Sequence, residues 1–520
     1  MEVIMFLLTV DEMKALETCA IESYDIPGIL LMEHAGYAVA SMIVDRFTED
    51  TKLLIVCGRG NNGGDGFVIS RKLLMEGYLI NVIVVGDPSS IKGDALINFN
   101  ILKNMCNDIF YLKTLEDLNQ SSKLFVQTDV IVDALFGTGL NSSVRALEAS
   151  VIEMINNSKA KVISVDIPSG INGSTGKVMT GAIYSDLTVV LDALKCGNVL
   201  YPGVDYNGEV KVVDIGIPKA CYYHIYFPKK LITKDFVLEL LPIREKNSHK
   251  GTFGKASVIA GSLGMEGAAI LTCSAAMRTG LGLVKLFLPK SINNIVKTAV
   301  PEIITVPLEE TVEGVYGLSS IDQILEGIKD ASVVAIGPGC SKHYEVGETI
   351  KRLLSEPEVP LVIDADGLNM LTTNMGWLED ISKDVVLTPH IAEMARLTNL
   401  SVKEIIDNPI KIARKYAVEW EVTVVLKSSR TIVASKNGDV YINTNGNSGM
   451  ATAGTGDVLT GIITAFMAQG LSGVDASVLG VFIHGSAGDR VASKIGEYGL
   501  IAGDIIKEIA YTIKELSQEV

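Results

Sequence analysis

The chain has 520 residues, 48% of them apolar and 20% charged. That is long enough for at least two domains with separate cores and too apolar for a disordered or fibrous protein. A net charge of −16 repels nucleic-acid phosphate and anionic membrane surfaces, so neither is expected as a partner. The seven cysteines are scattered and form no C-x-x-C pair, which excludes a disulfide framework or zinc site and fits a reducing compartment.

The apolar run at 3–10 has the character of a signal-peptide core, but Glu2 stands where a basic leader belongs and Asp11-Glu12 where a small-residue cleavage site belongs. A cytoplasmic protein is expected. No apolar run approaches the roughly 20 residues that a spanning helix needs. Strand-like runs that are apolar on both faces recur at 52–57, 80–85, 130–135, 162–165, 187–191 and 210–213, with helix-compatible stretches such as 67–76 and 144–156 between them. This alternation predicts a parallel sheet covered on both faces. A junction is expected near 225–235, dividing the chain into domains 1–225 and 226–520. The second half repeats the grammar at 256–260, 283–288, 333–336, 360–363, 385–387 and 422–426, then predicts a β-hairpin across 432–442 and a glycine-rich helix start at Gly454. The motif order differs between the halves, so two unrelated sites are expected.

The first glycine-rich segment, Gly58-Arg59-Gly60-Asn61-Asn62-Gly63-Gly64-Asp65-Gly66, follows a buried strand and opens a helix. Backbone N–H groups and the helix dipole can hold a phosphate there. It contains G-x-G-x-x-G with Asp87 downstream, so a dinucleotide-binding dehydrogenase is one reading. Against it, Asn61, Asn62 and Asp65 crowd the segment with acceptors suited to a cation or a ribose; a tight turn that binds nothing is the third account. Two further strand ends carry polar groups: Asp133 with Gly137-Thr138-Gly139, and Asp166-Ile167-Pro168-Ser169-Gly170. Either aspartate alone would suit a turn or a cap. In open α/β sheets, however, ligands bind at the carboxyl ends of strands, where these loops would converge.

These motifs, GRGNNGGDG, VDALFGTG and VDIPSG, with Leu31-Met32-Glu33-His34-Ala35-Gly36 before them, resemble the NAD(P)H-hydrate epimerases, which are related to apolipoprotein A-I binding protein. The resemblance covers residues 8–218. It implies a Rossmann-like three-layer sandwich that interconverts the R and S forms of hydrated NADH and NADPH and binds a potassium ion. By the same resemblance, Asn62, Asp133 and Ser169 ligate potassium. Asn61, Asn62, Gly63, Gly64 and Asp65, with Gly137, Thr138, Gly139, Leu140, Asn141, Ser142 and Ser143, hold the hydrate, and Asp166 contacts the reacting nicotinamide. Where the family has a lysine after a strand end containing phenylalanine and proline, this chain has Leu191-Asp192-Ala193-Leu194-Lys195.

The second site centres on NGNSGMATAGTGDVLTG at 445–461. Gly454-Thr455-Gly456-Asp457 leads into an apolar helix: glycines let backbone amides approach a transferring phosphoryl group, and an aspartate there can take a proton from an attacking hydroxyl. A capping aspartate is the plainer account. The Walker pattern G-x-x-x-x-G-K-[ST] is absent. Strand ends at 336–339, 363–367, 387–393 and 426–431 add polar loops in which Asp364 and Asp366 would suit turn caps and His390 a satisfied loop histidine. The pattern is similar to the ribokinase-like superfamily, and His249 to Gly254 (HKGTFG), TPHIAE and GMATAGTGD bring it nearest the ADP- or ATP-dependent NAD(P)H-hydrate dehydratases, over residues 235–515. This implies a ribokinase-like three-layer sandwich in which Asp457 is the base. Lys427, Ser428, Ser429, Arg430, Thr431 and Gly456 bind ADP or ATP, Ala268, Gly339 and His390 line the hydrate with Asp457, and Glu393 orients water on magnesium.

The combined reading is a bifunctional NAD(P)H-hydrate repair enzyme, an α/β protein of two domains working as a homo-oligomer. The rival is a ribokinase-type small-alcohol kinase fused to a ligand-binding regulatory domain. A non-catalytic binding protein is a third reading, which the intact Asp166 and Asp457 oppose.

Overall fold

The computed structural model describes residues 5–140, 143–356, 358–379 and 381–518. It divides into two compact units, one spanning Phe6–Phe227 and the other running from Pro228 onward, with which Met5 also groups.

The first unit is built on a seven-stranded sheet, with every neighbouring pair parallel. Its strands run in the order Ile109–Leu112, Ile80–Val85, Leu53–Cys57, Val130–Ala134, Lys161–Val165, Leu187–Leu191, Glu209–Val213. The chain starts near the middle, winds outward to one edge, then returns and winds to the other. Strand order therefore reverses between Leu53–Cys57 and Val130–Ala134, where a crevice opens above the strand C-termini. Alternate residues of one strand feed two cores: Leu53, Ile55 and Cys57 belong to one apolar cluster, Leu54 and Val56 to another. Burial on both faces explains the unbroken apolar runs of the central strands. The edge strand Ile109–Leu112 is only partly buried, with Tyr111 exposed. Within the early apolar run, Leu7 and Leu8, both fully buried, pair in parallel with Leu194 and Lys195.

Among the described residues the second unit contains ten strands, in the order Ile304–Leu308, Leu283–Pro289, Lys255–Ile259, Val333–Ile336, Leu361–Ile363, Val385–Leu387, Thr423–Leu426, Ile432–Ala434, Val440–Ile442, Lys229–Leu231. Seven are parallel. The expected hairpin is present, with Ile432–Ala434 antiparallel to both neighbours. Lys229–Leu231 then adds in parallel to Val440–Ile442. The strand Leu283–Pro289 illustrates the layering: its alternate residues Val284, Leu286 and Leu288 pack under the helices Glu266–Arg278, Thr455–Ala468, Gly473–Ile495 and Ala502–Ser517. Phe287 points the other way, against Gly327 of the helix Ile321–Gly327. Helices on both faces complete three layers.

No helix among the described residues is long and apolar enough to cross a membrane. The HKGTFG motif proves to be a packing element. A Cβ on Gly254 (φ 78°) would lie 1.9 Å from the Ala468 carbonyl oxygen, at the far end of the helix that begins with Asp457's turn. At 1.5 Å per residue this is roughly 16 Å from the aspartate.

Candidate functional site

In the first unit the asparagine-glycine segment is not a loop. The helix expected at 67–76 begins at Asn61 and runs to Met75, so Asn61, Asn62, Gly63, Gly64 and Asp65 form its first turns. Glycine's poor helix propensity argues against that start, but tertiary packing demands it: a Cβ on Gly63 would sit 2.1 Å from the Gly58 carbonyl oxygen, and one on Gly64 2.6 Å from Met32 Sδ. No side chain caps this helix at Gly60, which leaves its N-terminal N–H groups for an anion. Asp87 is occupied elsewhere, capping the short helix Pro88–Ser90 through Ser89 N–H. That removes the residue on which the dehydrogenase reading leaned.

The strand-end residues converge. Asn62 donates through Nδ2 to the Val165 carbonyl (3.0 Å), and its Oδ1 is buried without a partner. Its side chain lies against Gly137, where a Cβ would come within 3.1 Å. Asp133 is fully buried and accepts from Ser164 Oγ (2.7 Å), Ser169 N–H (2.9 Å), Ser169 Oγ (2.6 Å) and Leu135 N–H (3.2 Å). Burial raises its pKa, and those hydrogen bonds offset part of the rise. Thr138 packs beside Gly173, Leu140 accepts from Asn172, and Gly139 faces open space. Ser143 is exposed, and Asn141 and Ser142 lie outside the described residues.

Asp166 sits at φ 72°, a left-handed conformation that costs a non-glycine residue about 1 kcal/mol. Its carboxylate explains why it is held there. Oδ1 accepts from Leu191 N–H at 3.0 Å and from Lys195 Nζ at 2.5 Å. Lys195 is fully buried and also donates to the Leu191 carbonyl (2.7 Å). Lys195 thus stands in the site despite the altered local sequence. Asp65, also buried, is pushed well above the usual carboxylate range by burial and by the neighbouring Asp166 and Glu17 charges. Sequence reasoning missed Glu17, although a carboxylate among Met13, Leu16 and Ala20 on the buried face of the helix Val10–Ser23 was a readable signal.

In the second unit, Asp457 lies in the first turn of Thr455–Ala468, whose N-cap Gly454 is left-handed (φ 89°) and lends no side chain to the helix end. A Cβ on Gly454 would come within 2.5 Å of Leu271 Cδ1, so the position needs glycine on two counts. Asp457 is held up at about 7, first by burial and then by the Asp364 carboxylate, with Lys427 pulling down and Asp366 and Glu393 pushing up. The lysine in this group is tied: Lys427 Nζ donates to Asp364 Oδ1 at 2.7 Å, while Thr460 Oγ1 donates to Oδ2 at 2.6 Å. Burial alone would raise Asp364; the Lys427 charge and the hydrogen bonds from Lys427, Thr460 and Thr388 bring it below the usual range. Asp364 is therefore the anchor of Lys427 and not a turn cap.

Lys427 Nζ would be 3.3 Å from a Cβ on Gly456, which places the ammonium against the G-T-G-D turn. Ser428 and Thr431 hydrogen-bond within their own loop, Ser429 is exposed, and Arg430 donates to the Thr444 carbonyl. Gly339 (φ 61°) and Ala268 are neighbours, 2.9 Å apart when a Cβ is placed on the glycine. His390 caps the helix Ile391–Thr398: Nδ1 accepts from Ala392 and Glu393 N–H, and the Glu393 carboxylate takes the His390 N–H (2.8 Å) and lies 3.2 Å from Nε2. The His390 side chain as a whole is 49% exposed.

A doubly wound unit with phosphate-ready helix termini, joined to a three-layer unit whose aspartate stands at a glycine turn, defines a bifunctional nucleotide-handling enzyme. The comparisons agree. Residues 29–197 match the model of the YjeF-related protein N-terminus, and residues 256–511 match that of NAD(P)H-hydrate dehydratase. The bifunctional NAD(P)H-hydrate repair enzyme of Moorella thermoacetica is 39% identical over 99% of this chain and 98% of its own length. That of Thermofilum pendens is 37% identical over 98% and 96%. A ribokinase-like superfamily protein from Enterococcus faecalis, a solved structure, is 26% identical over 56% of this chain and 98% of its own, with a TM-score of 0.50. The chain belongs to the family of bifunctional NAD(P)H-hydrate repair enzymes.

Proposed function

We propose that the first unit epimerises the R and S hydrates of NADH and NADPH and that the second dehydrates the S form at the expense of ADP or ATP. One observation carries the reading: each unit sets an aspartate beside a lysine at the carboxyl edge of its sheet, and the two settings differ. Asp166 is locked to Lys195, whereas Asp457 keeps a carboxylate free of hydrogen bonds among the described residues, as a base requires.

In the dehydratase, Asp457 takes the proton of the C6 hydroxyl as that oxygen attacks the terminal phosphoryl group. Lys427 and the N–H groups around Gly456 hold the nucleotide phosphates, with Ser428, Ser429, Arg430 and Thr431 alongside. Ala268, Gly339 and His390 line the hydrate. Loss of phosphate from C6 and of a proton from C5 then forms the ring double bond. Magnesium, which binds through nucleotide phosphates and waters with one or two carboxylates, would screen the phosphate charge; Glu393 and Asp366 are the carboxylates at hand. Because a base must be ionised to act, phosphorylation should rise with pH through about 7. Single-turnover rates measured across that range check this, and a flat profile would remove Asp457 as the titrating base.

In the epimerase, Asn61 to Asp65 and Gly137 to Ser143 would hold the hydrate and Asp166 the nicotinamide. The orphaned Asn62 Oδ1, next to the buried Asp133 carboxylate and Ser169, suits a desolvated hard cation, and potassium is our choice. Exchanging potassium for a bulky organic cation should slow epimerisation and spare dehydration. Asn62→Leu should cost at least the roughly 10- to 100-fold lost with an outer-shell partner. Epimerisation at full rate in that variant would exclude the site. The domains we assign are 1–225 and 226–520. Seven cysteines that form no disulfide fit a cytoplasmic setting, and homo-oligomeric assembly rests on the family resemblance alone.

The test is recovery of NADH absorbance from a mixed R/S hydrate with magnesium and potassium, supplying ADP and ATP separately. Complete recovery supports both activities and names the donor. Recovery halting at the S fraction removes the epimerase. A phosphorylated product that accumulates without elimination favours the small-alcohol kinase.

A further inference from the structure

Glu17 is left without a role by the assignments above. It lies two turns into the helix Val10–Ser23, flanked on the same face by Met13, Leu16 and Ala20, all buried. A carboxylate on the apolar stripe of an amphipathic helix is costly unless something pairs with it. Yet Glu17 accepts no hydrogen bond among the described residues.

Its helix is fixed against the epimerase site at several points. Leu8, just before the helix, pairs with Lys195, the residue that holds Asp166. Val10 N–H donates to Ser174 Oγ (3.0 Å), and Val10 Cγ2 and Thr138 Cγ2 both border Gly173. The helix therefore bridges the hydrate loop at Thr138 and the Asp166–Lys195 pair. Glu17 feels charges from Asp166, Lys195, Asp192 and Lys14, and in turn acts on Asp65. Burial, then Asp166, raise its pKa, which favours the protonated carboxyl. Unlike the buried Asp65 and Asp166, Glu17 keeps part of its surface open. Of the three carboxyls, Glu17 is the least buried.

We infer that Glu17 is the general acid of the epimerase, protonating the C6 hydroxyl so that it leaves as water and is replaced from the opposite face of the ring. This rests on the epimerase reading. The C6–O bond breaks with its electron pair going to the departing water, and the N1 lone pair forms the C6–N1 double bond. The resulting iminium cation lies beside two carboxylates, Asp166 and the now ionised Glu17, which offset its charge. Water then adds at C6, N1 recovers its lone pair, and the proton released by that water returns to Glu17. Atoms, charge and protons balance, and no oxidant or reductant is needed. The rival route, opening the C6–N1 bond to an aldehyde and reclosing, needs no loss of oxygen.

The experiment is epimerisation of purified R hydrate in ¹⁸O-water, with R and S separated and weighed by mass spectrometry and an enzyme-free control subtracted. We expect one solvent oxygen in each S molecule formed. In Glu17→Gln, kcat for epimerisation should fall on the order of 10²- to 10⁴-fold with KM little changed. Dehydration of S hydrate by the same chain should continue at the wild-type rate, and an unchanged denaturation midpoint of the first unit reports that it is folded. Glu17→Asp should recover part of kcat, which a packing role would not. S product retaining its original oxygen, or Glu17→Gln at full kcat, overturns the proposal while leaving the epimerase standing. A wild-type chain that does not interconvert R and S overturns both.

Discussion

Asp457→Asn should abolish dehydration, lowering the S-hydrate rate on the order of 10²- to 10⁴-fold, while epimerisation stays at the wild-type rate. The amide keeps the shape of the carboxyl and the helix N-terminus, so nucleotide binding survives, but it cannot accept the hydroxyl proton. The variant should also be no less stable than the wild type. Asp457, Asp364, Asp366 and Glu393 repel one another around Lys427, and their mutual repulsion is part of why Asp457 titrates at about 7. Removing one charge relieves the cluster, a trade of stability for a poised base. The readouts are single-turnover phosphorylation, nucleotide affinity and the denaturation midpoint. An active variant would move the base elsewhere, and one that fails to bind nucleotide would make Asp457 a binding group. Asp364→Asn makes the contrast: it frees Lys427 from its 2.7 Å ion pair, so nucleotide affinity should suffer along with the rate.

The legible parts of this molecule are those that burial writes locally. Val333–Ile336 and Leu187–Leu191 are buried on both faces, so nearly every residue is apolar and the strand can be read within a residue of its ends. Ile304–Leu308 lies at a sheet edge with its first four residues partly open, and its mixed composition hides it. The motifs GRGNNGGDG and GTGD are readable because a backbone that must approach a phosphate or another chain closely needs glycine, wherever it occurs. Read as a loop, the first of them misleads, since only the packing of Gly63 on Gly58 and Gly64 on Met32 reveals why glycines begin a helix there. What no local window shows is pairing over distance. Lys195 meets Asp166 across 29 positions and Lys427 meets Asp364 across 63. Asp364 looked like a turn cap because the lysine that makes it a site residue belongs to a strand end far along the chain. His484 is of the same kind: burial takes it down to about 4, and its Nε2 is left without a partner, which no residue near it in sequence foretells.

Lys195→Met should destabilise the chain and stop epimerisation together, whereas Lys195→Met combined with Asp166→Asn should recover the stability without the activity. The pair is buried, with side-chain exposures of 1% and 11%. Removing one partner of such a pair costs about 3–5 kcal/mol, because the other is left charged in a place that water does not reach. In Lys195→Met the abandoned group is Asp166, which already faces the carboxyls of Asp65 and Glu17 and would lose its counter-charge. In Asp166→Asn it is the lysine that loses its counter-charge. Neither penalty arises in the double variant, so the two effects on the denaturation midpoint should be strongly non-additive, as expected for residues in one network. Epimerisation follows another rule. Asp166 supplies the charge at the reacting ring and Lys195 orients that charge, so each single variant and the double should all lose on the order of 10²- to 10⁴-fold. A double variant that epimerises would show the pair to be structural. Additive losses of stability would mean that the two side chains do not depend on each other as the 2.5 Å contact requires.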